Sequence, residues 1–293
     1  MKWIKQIFGK QHEVSKDDEH TNNQINTNLN EIDNLKIVKD FVKEYAKNSY
    51  VLNPISSTKN IKITESKFGG EPNLRNFKQY PKCETCQTNL NFVLQVYKNK
   101  ESEEFFPKQT NLFQVFRCPN KKCNDSYNDN HDLQTKLYFF KDNMKGIQIQ
   151  KPKILINENY ESEVPLCEIR PILKDDLPQY DDHNSDIISN LEEIYGDDGS
   201  EYFIESYQPI VGTKIGGYPS WIQSAYSIEC GCGNNKNFLF QLSSEDLEEG
   251  ASRPPNNFKW SPHEIMIGDL GNLYFFICTK CGVESIESYW DCY

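Results

Sequence analysis

The chain of 293 residues has no apolar run approaching the roughly 18 to 20 residues that cross a bilayer, so stable membrane insertion is not expected. Its Lys-rich start, MKWIKQIFGK, lacks both an apolar stretch of signal-peptide length and a small-residue cleavage site, which predicts a cytoplasmic protein. Positive charge is in deficit: 32 Lys and Arg stand against 43 Asp and Glu, a net charge of -11. Such a balance repels nucleic acid phosphates and favours a basic protein client, with no direct nucleic-acid contact expected. The chain also lacks a GKS/T phosphate loop, a helix-opening GxGxxG and an HExxH or HxH arrangement. Its five histidines, His12, His20, His131, His183 and His263, lie in polar segments and read as surface residues. No nucleophile–base pair can be assembled, and the expectation is a protein that is not an enzyme.

Aromatic residues and cysteines are abundant. Sixteen Tyr and 17 Phe supply material for a core despite a mean hydropathy of -0.73. A repeat organises them. Lys67 to Val96 (KFGGEPNLRNFKQYPKCETCQTNLNFVLQV) is echoed by Lys214 to Leu242 (KIGGYPSWIQSAYSIECGCGNNKNFLFQL). Each copy has a Lys-apolar-Gly-Gly-x-Pro turn, a cysteine pair and an apolar run carrying one Gln. Thirteen positions separate Gly70 from Cys83 and also Gly217 from Cys230; six separate Cys86 from Phe92 and Cys232 from Phe238. Self-similarity at so long a period predicts two homologous half-domains.

Along the chain, residues 1–30 form a polar, flexible N-terminal segment whose first turn is expected to fray. Residues 31–165 make the first half-domain. It opens with an amphipathic helix over 31–47, from the stripe Ile32, Leu35, Val38, Phe41, Val42 and Tyr45. Alternation predicts a strand at 60–65 (NIKITE), and short aromatic or β-branched runs predict strands at 92–97, 112–117 and 136–141. Eleven acidic residues between Asp175 and Glu205 mark 166–205 as an acidic connector, with a short helix at 185–195. Residues 206–293 make the second half-domain, closing with the turn Gly268-Asp269-Leu270-Gly271 and a strand at 272–278.

Eight of the ten cysteines fall in close pairs, which in a cytosolic chain points to metal rather than disulfides. A zinc ribbon presents two thiolates from each of two hairpin knuckles. Cys83, Cys86, Cys118 and Cys123 form one candidate set, and Cys230, Cys232, Cys278 and Cys281 the other. The expected cofactor is structural Zn2+, two ions per chain. With four protein ligands each, neither site offers the open coordination position that catalysis uses. Cys167 and Cys292 stand outside the pairs and read as ordinary thiols.

SKFGGEP, CETCQTNLNFVLQVY and FQVFRCPNKKC resemble the N-terminal part of the eukaryotic programmed-cell-death-protein-2 family, while KIGGYPSWIQ and IGDLGNLYFFI resemble the bacterial YwqG-like family. The resemblance spans roughly residues 60–141 and 205–290. It implies a mainly β (α+β) fold, two-lobed and duplicated, here with zinc-ribbon-like knuckles and an N-terminal helix. The eukaryotic relatives escort a basic ribosomal protein, and the bacterial ones have no settled activity. This chain lacks the inserted Cys/His finger of some eukaryotic members and carries cysteine pairs that many bacterial ones lack.

Composition and resemblance together predict a non-enzymatic, cytoplasmic protein-binding module, a chaperone or adaptor for a basic client such as a ribosomal protein. Association would be steered by charge and completed by aromatic contacts at Tyr218 and Trp221 beside the second Gly-Gly turn. Gly69, Gly70, Gly216, Gly217 and Asp269 are further candidate partner-binding positions; the plainer reading makes each a turn residue. Two alternatives stay open. One is an immunity protein that neutralises a toxin. The other is an uncharacterised enzyme with a pocket near the GDLG turn.

Overall fold

The computed structural model describes residues 40–123, 134–141, 145–153, 157–179, 185–196, 208–246 and 261–293. It is mainly β. The strands are β1 (Lys47–Val51), β2 (Pro54–Ser56), β3 (Lys67–Phe68), β4 (Asn91–Tyr97), β5 (Leu112–Arg117), β6 (Thr135–Phe140), β7 (Cys167–Ile169), β8 (Ile172–Asp176), β9 (Lys214–Gly216), β10 (Asn237–Ser243), β11 (Asn272–Cys278) and β12 (Gly282–Asp291). One sheet has the order β2-β7-β3-β4-β5-β6 and the other β8-β1-β9-β10-β11-β12. Adding six to each strand number of the first sheet, and counting on past twelve to one, reproduces the second. The duplication seen in sequence is therefore also a duplication of topology.

The leading strands are exchanged. β1 precedes the first half yet pairs with β9 of the second, Tyr50 opposite Ile215. β7 precedes the second half yet pairs with β3 of the first, Phe68 opposite Cys167. Each sheet is thus completed by the other half's leading strand. All these pairings are antiparallel, and both long central strands carry a bulge at the same place, between Phe92 and Leu94 and between Phe238 and Phe240.

Alternation along the strands sends one set of side chains into a core shared by the two sheets. Leu94, Val96, Phe113 and Val115 meet Phe240, Leu242, Leu273 and Phe275 there, all at or below 2 % exposure, and the Phe113 and Phe240 rings lie 5.3 Å apart. The opposite faces carry two smaller clusters. Leu74, Phe92 and Phe116 pack with the first cysteine set, and Trp221, Tyr274 and Phe276 pack on the second sheet.

The glycine pairs permit this close approach. Gly69 has φ +58°, and a Cβ there would lie 2.1 Å from the Val164 carbonyl oxygen; Gly217 has φ +73°, and a Cβ would lie 2.2 Å from the Asp176 carboxylate. These are tight bends against the neighbouring chain, and the left-handed backbone excludes a side chain there on its own account.

Three expectations change. Residues 60–65 are not a strand: Glu65 N–H donates to the Lys62 carbonyl and its carboxylate accepts from Lys62 N–H, closing a turn, and pairing begins at Lys67. Of the helix expected over 31–47, residues 31–39 lie outside the described residues; 40–43 are helical, and Lys47 is already strand because β8 offers it a partner in Asp176. Phe41, Val42 and Tyr45 from that stripe pack against Ile187 and Leu191 of α1 (Ser185–Tyr195), the short helix the sequence predicted. The stretch expected to be a connector from 166 opens with β7 and β8, so the second repeat unit begins at Cys167 rather than at 206. The flexible segment expected over 1–30 lies outside the described residues.

Candidate metal centres

The strands bring the eight paired cysteines into two tetrads. The Sγ atoms of Cys83, Cys86, Cys118 and Cys123 all lie within 4.8 Å of one another, as do those of Cys230, Cys232, Cys278 and Cys281. Neighbouring sulfurs are 3.6 Å apart for Cys86–Cys118 and Cys232–Cys278, and 3.8 Å for Cys230–Cys281. A tetrahedron of thiolates at the Zn–S bond length of about 2.3 Å has an S···S edge of about 3.8 Å. A disulfide would need about 2.05 Å. Each donor set fits a tetrahedral metal ion.

Local backbone chemistry aims the thiols. Cys83 N–H donates to Thr88 O (2.8 Å) and Gln87 N–H to Cys83 O (2.9 Å), with Gln87 at φ +60°. Cys230 N–H donates to Asn234 O (2.8 Å) and Gly233 N–H to Cys230 O (2.8 Å), with Gly233 at φ +82°. The loose spacing of Cys118 and Cys123 is absorbed by a 3-10 turn, Lys121–Cys123, in which Cys123 N–H donates to Asn120 O (2.9 Å). At the fourth knuckle Cys278 N–H donates to Ser285 Oγ (3.0 Å), and Gly282 takes φ +69°.

Within each tetrad one thiol is drawn toward the thiolate. Burial acts to raise Cys86, but hydrogen bonds from Thr88 and from its fellow cysteines bring it down to about 6. The backbone N–H of Cys281, with further donors, outweighs burial at Cys278 and also brings it to about 6. Cys118 is pushed up by burial, and Cys123 to about 12 by burial and its sulfur neighbours. A thiolate surrounded by thiols is the starting point from which a metal displaces the remaining protons. The tetrads differ in cover: Cys83, Cys118 and Cys123 are buried, whereas Cys281 is exposed. Cys167 lies outside both sets, and burial lifts its thiol to about 11, as suits an inert side chain.

The other candidate positions are dispersed. Gly69 is buried, and Gly70, Gly216 and Gly217 are half-buried in their bends. Trp221 is 8 % exposed and packs on Tyr274 and Phe276, so it is chiefly a core residue. Tyr218 is half-buried; its hydroxyl donates to Tyr45 O (2.6 Å), and the Lys47 ammonium sits 4.0 Å from its ring. Asp269 is exposed in the GDLG turn, where its carbonyl accepts from Tyr293 N–H (3.2 Å).

His263 corrects the surface reading. It is fully buried, stacks on Phe68 at 4.9 Å, shares a 2.9 Å hydrogen bond between Nε2 and Asp246, and accepts Ile265 N–H at Nδ1. The apolar partner Phe68 comes from the other half, which no local pattern around His263 announces. His12, His20, His131 and His183 lie outside the described residues.

Sequence reasoning also missed the buried polar network. Lys214 and Asp176 are both fully buried and pair at 2.7 Å, while Asp176 also accepts the N–H groups of Ile210 (2.7 Å) and Tyr218 (2.9 Å). The single Gln of each apolar run holds the loop after the Gly-Gly turn. Gln95 Oε1 accepts Asn73 N–H (2.9 Å), and Gln241 Oε1 accepts Ser220 N–H (3.0 Å). A repeated Gln inside an apolar strand was the available signal. A cleft of about 470 Å3 between the halves is lined by Asn91, Arg117, Glu161, His263 and Gly268, among others. Two described pockets elsewhere are of similar size. No described helix is long and apolar enough to cross a membrane.

No curated protein matches the chain. A family model described as "Domain of unknown function (DUF1963)" matches residues 66–281, a span that holds both Gly-Gly turns and all eight tetrad cysteines. That is well over half of the chain, which therefore belongs to the DUF1963 family.

Proposed function

We propose that the protein is a non-enzymatic binding module that holds a basic protein client, with a structural zinc ion in each cysteine tetrad. The observation that carries it is an open, aromatic-walled pocket of about 360 Å3 in the second half, bordered by Tyr218 and Trp221, on a chain of net charge -11. Aromatic surfaces anchor protein contacts, and an acidic surplus speeds association with a basic partner. The four-thiol tetrads support zinc that ties strand ends together, since soft thiolates favour zinc and fill its tetrahedron.

The client is a ribosomal protein or a similarly basic chain met in the cytosol, the role of a chaperone or adaptor. A basic toxin would be held by the same forces, making the protein an immunity factor. The repeat and its motifs support placing the chain near the YwqG-like proteins and, more remotely, the programmed-cell-death-protein-2 family. Capture of the tagged full chain from its native cells at low salt tests the proposal. One basic protein recovered in near-equal amount, and lost as salt rises, is expected; recovery of none overturns it. Elemental analysis should find two zinc ions per chain, and well under one would remove the zinc.

The interlobe cleft favours one other reading, an enzyme acting beside the GDLG turn. Arg117 and Asn91 line this cleft and are deeply buried, and Arg117 Nε and Asn91 Oδ1 have no hydrogen-bond partner among the described residues. Turnover of a small molecule that is lost in Asn91→Leu, with binding of the basic client intact, would decide for it.

A further inference from the structure

The halves differ in what lies over the turn after each glycine pair. In the first half the extended segment 145–153 crosses it. Gln148 Nε2 donates to the Pro72 carbonyl (3.0 Å), Gln148 Oε1 accepts Leu74 N–H (3.0 Å), and Lys151 Nζ donates to the Gly70 carbonyl (3.1 Å). Ile149 packs onto the cluster that contains Leu74, Phe92 and Phe116. Lys151 also pairs with Glu163 at 3.1 Å.

The repeat maps those three backbone groups onto the Gly217 carbonyl, the Pro219 carbonyl and Trp221 N–H. None of the three has a hydrogen-bond partner among the described residues. The place of Ile149 maps onto the pocket walled by Pro219, Trp221, Tyr226, Phe238 and Phe276. Phe238 and Phe276 are the counterparts of Phe92 and Phe116, by their matching positions in the paired strands. The second half thus presents the same seat, with the same two acceptors and one donor bonded by no described residue; Tyr45 and Lys47 meet Tyr218 beside it, and Gln179 lines the pocket. Tyr226 on its rim is 44 % exposed and stacks on Tyr289 at 4.3 Å.

We infer that this seat is a docking site for an extended, basic segment of a partner protein in which Gln, an apolar residue, any residue and Lys follow one another, as in 148–151. The Gln carboxamide bonds the Pro219 carbonyl and Trp221 N–H together, the apolar side chain fills the aromatic pocket, and the Lys ammonium reaches the Gly217 carbonyl. A carboxamide is the side chain that offers a donor and an acceptor side by side, which is what this pair of backbone groups requires. The segment's positive charge suits the acidic chain. The inference rests on the protein-binding reading and names its surface.

The probe is the nine-residue peptide Lys-Gly-Ile-Gln-Ile-Gln-Lys-Pro-Lys, copied from 145–153 and titrated calorimetrically into the full-length protein. Saturable one-to-one binding with Kd below about 1 mM is expected, weakened about tenfold or more by Tyr226→Arg. Replacing the peptide's first Gln and the following Ile by Ala and Ser, with the protein untouched, should abolish it. Lack of saturation by about 1 mM overturns the site, as does binding indifferent to both changes. Displacement of the peptide by self-association, read as a rise in mass with protein concentration, assigns the seat to a second copy and also overturns it. Recovery of a basic client whose binding survives Tyr226→Arg would leave the protein-binding reading standing while removing this docking site.

Discussion

The two halves of the molecule share twelve strands in matching order and yet handle buried charge differently. Lys214 in β9 meets a carboxylate, Asp176, at 2.7 Å. Its counterpart Lys67 in β3 is as deeply buried but donates to two carbonyls, Ile61 at 3.4 Å and Lys62 at 3.0 Å. The same strand position therefore tolerates an ion pair or a neutral cradle, so the fold requires a long donor there rather than a salt bridge. Desolvation lowers both ammonium groups to about 8, partly offset in Lys214 by Asp176 and in Lys67 by more distant carboxylates. The tetrads diverge likewise, the first sealed and the second open at Cys281.

The largest effect should come from separating the halves. Residues 206–293 expressed alone lose β1, the neighbour of β9, and are expected to show no cooperative thermal transition by circular dichroism. A cooperative melt would mean that strand exchange is dispensable. Next, with zinc bound as proposed, a chromophoric chelator should strip the metal in two phases, the second-half tetrad first because of its exposed ligand. Cys118→Ser should cost several kcal/mol and more than Cys281→Ser; a single phase, or the reverse order, would make the centres equivalent.

The lysines give a smaller contrast. Lys214→Met strands the buried Asp176 carboxylate and should cost about 3–5 kcal/mol in urea unfolding. Lys67→Met frees only carbonyls and should cost about 1–3 kcal/mol. Equal losses would erase the distinction. Gln95→Leu and Gln241→Leu, which play matched roles, should each cost about 1–3 kcal/mol and agree with one another. A clear inequality would limit how far the repeat equivalence extends.

The smallest effect is one of pH. Between about 8 and the ordinary value of 10.5, folded Lys67 has released its proton while the unfolded chain still holds one. The unfolded state then binds more protons, so this contribution to stability rises with pH across that window and is flat below it. The stability of the wild type relative to Lys67→Met should therefore increase from pH 8 to 10. A gap that shrinks over that range would place the Lys67 pKa above the ordinary value.

Much of this is legible in the sequence. The matched intervals Gly70–Cys83 and Gly217–Cys230 announced the duplication, and short aromatic or β-branched runs located β4, β5, β6 and β11, because such residues are the ones a buried sheet surface takes. The cysteine spacings marked knuckles since a metal ligand pair must sit within one turn of chain. Residues 60–65 misled because alternation also arises where a turn presents side chains to both sides; β3 has only two residues and leaves almost no pattern. β7 has only three residues, and β8 runs into the acidic stretch that begins at Asp175. The edge strand β8 exposes Leu173 and Asp175 and buries Asp176, so its composition looked like a solvated connector.

The sequence by itself determined the repeat, the cysteine partners within each half, the β-rich class and the acidic balance, all of which depend on short-range spacing or on composition. Tertiary structure alone decided that each half borrows its leading strand from the other, that His263 is buried against Phe68, and that one glycine turn is bonded by 145–153 while no described residue bonds the matching groups of its twin. These outcomes rest on backbone groups and faces that meet across more than seventy residues. A strand's local sequence sets which side is apolar, but only the assembled sheets settle which distant chain satisfies its hydrogen bonds.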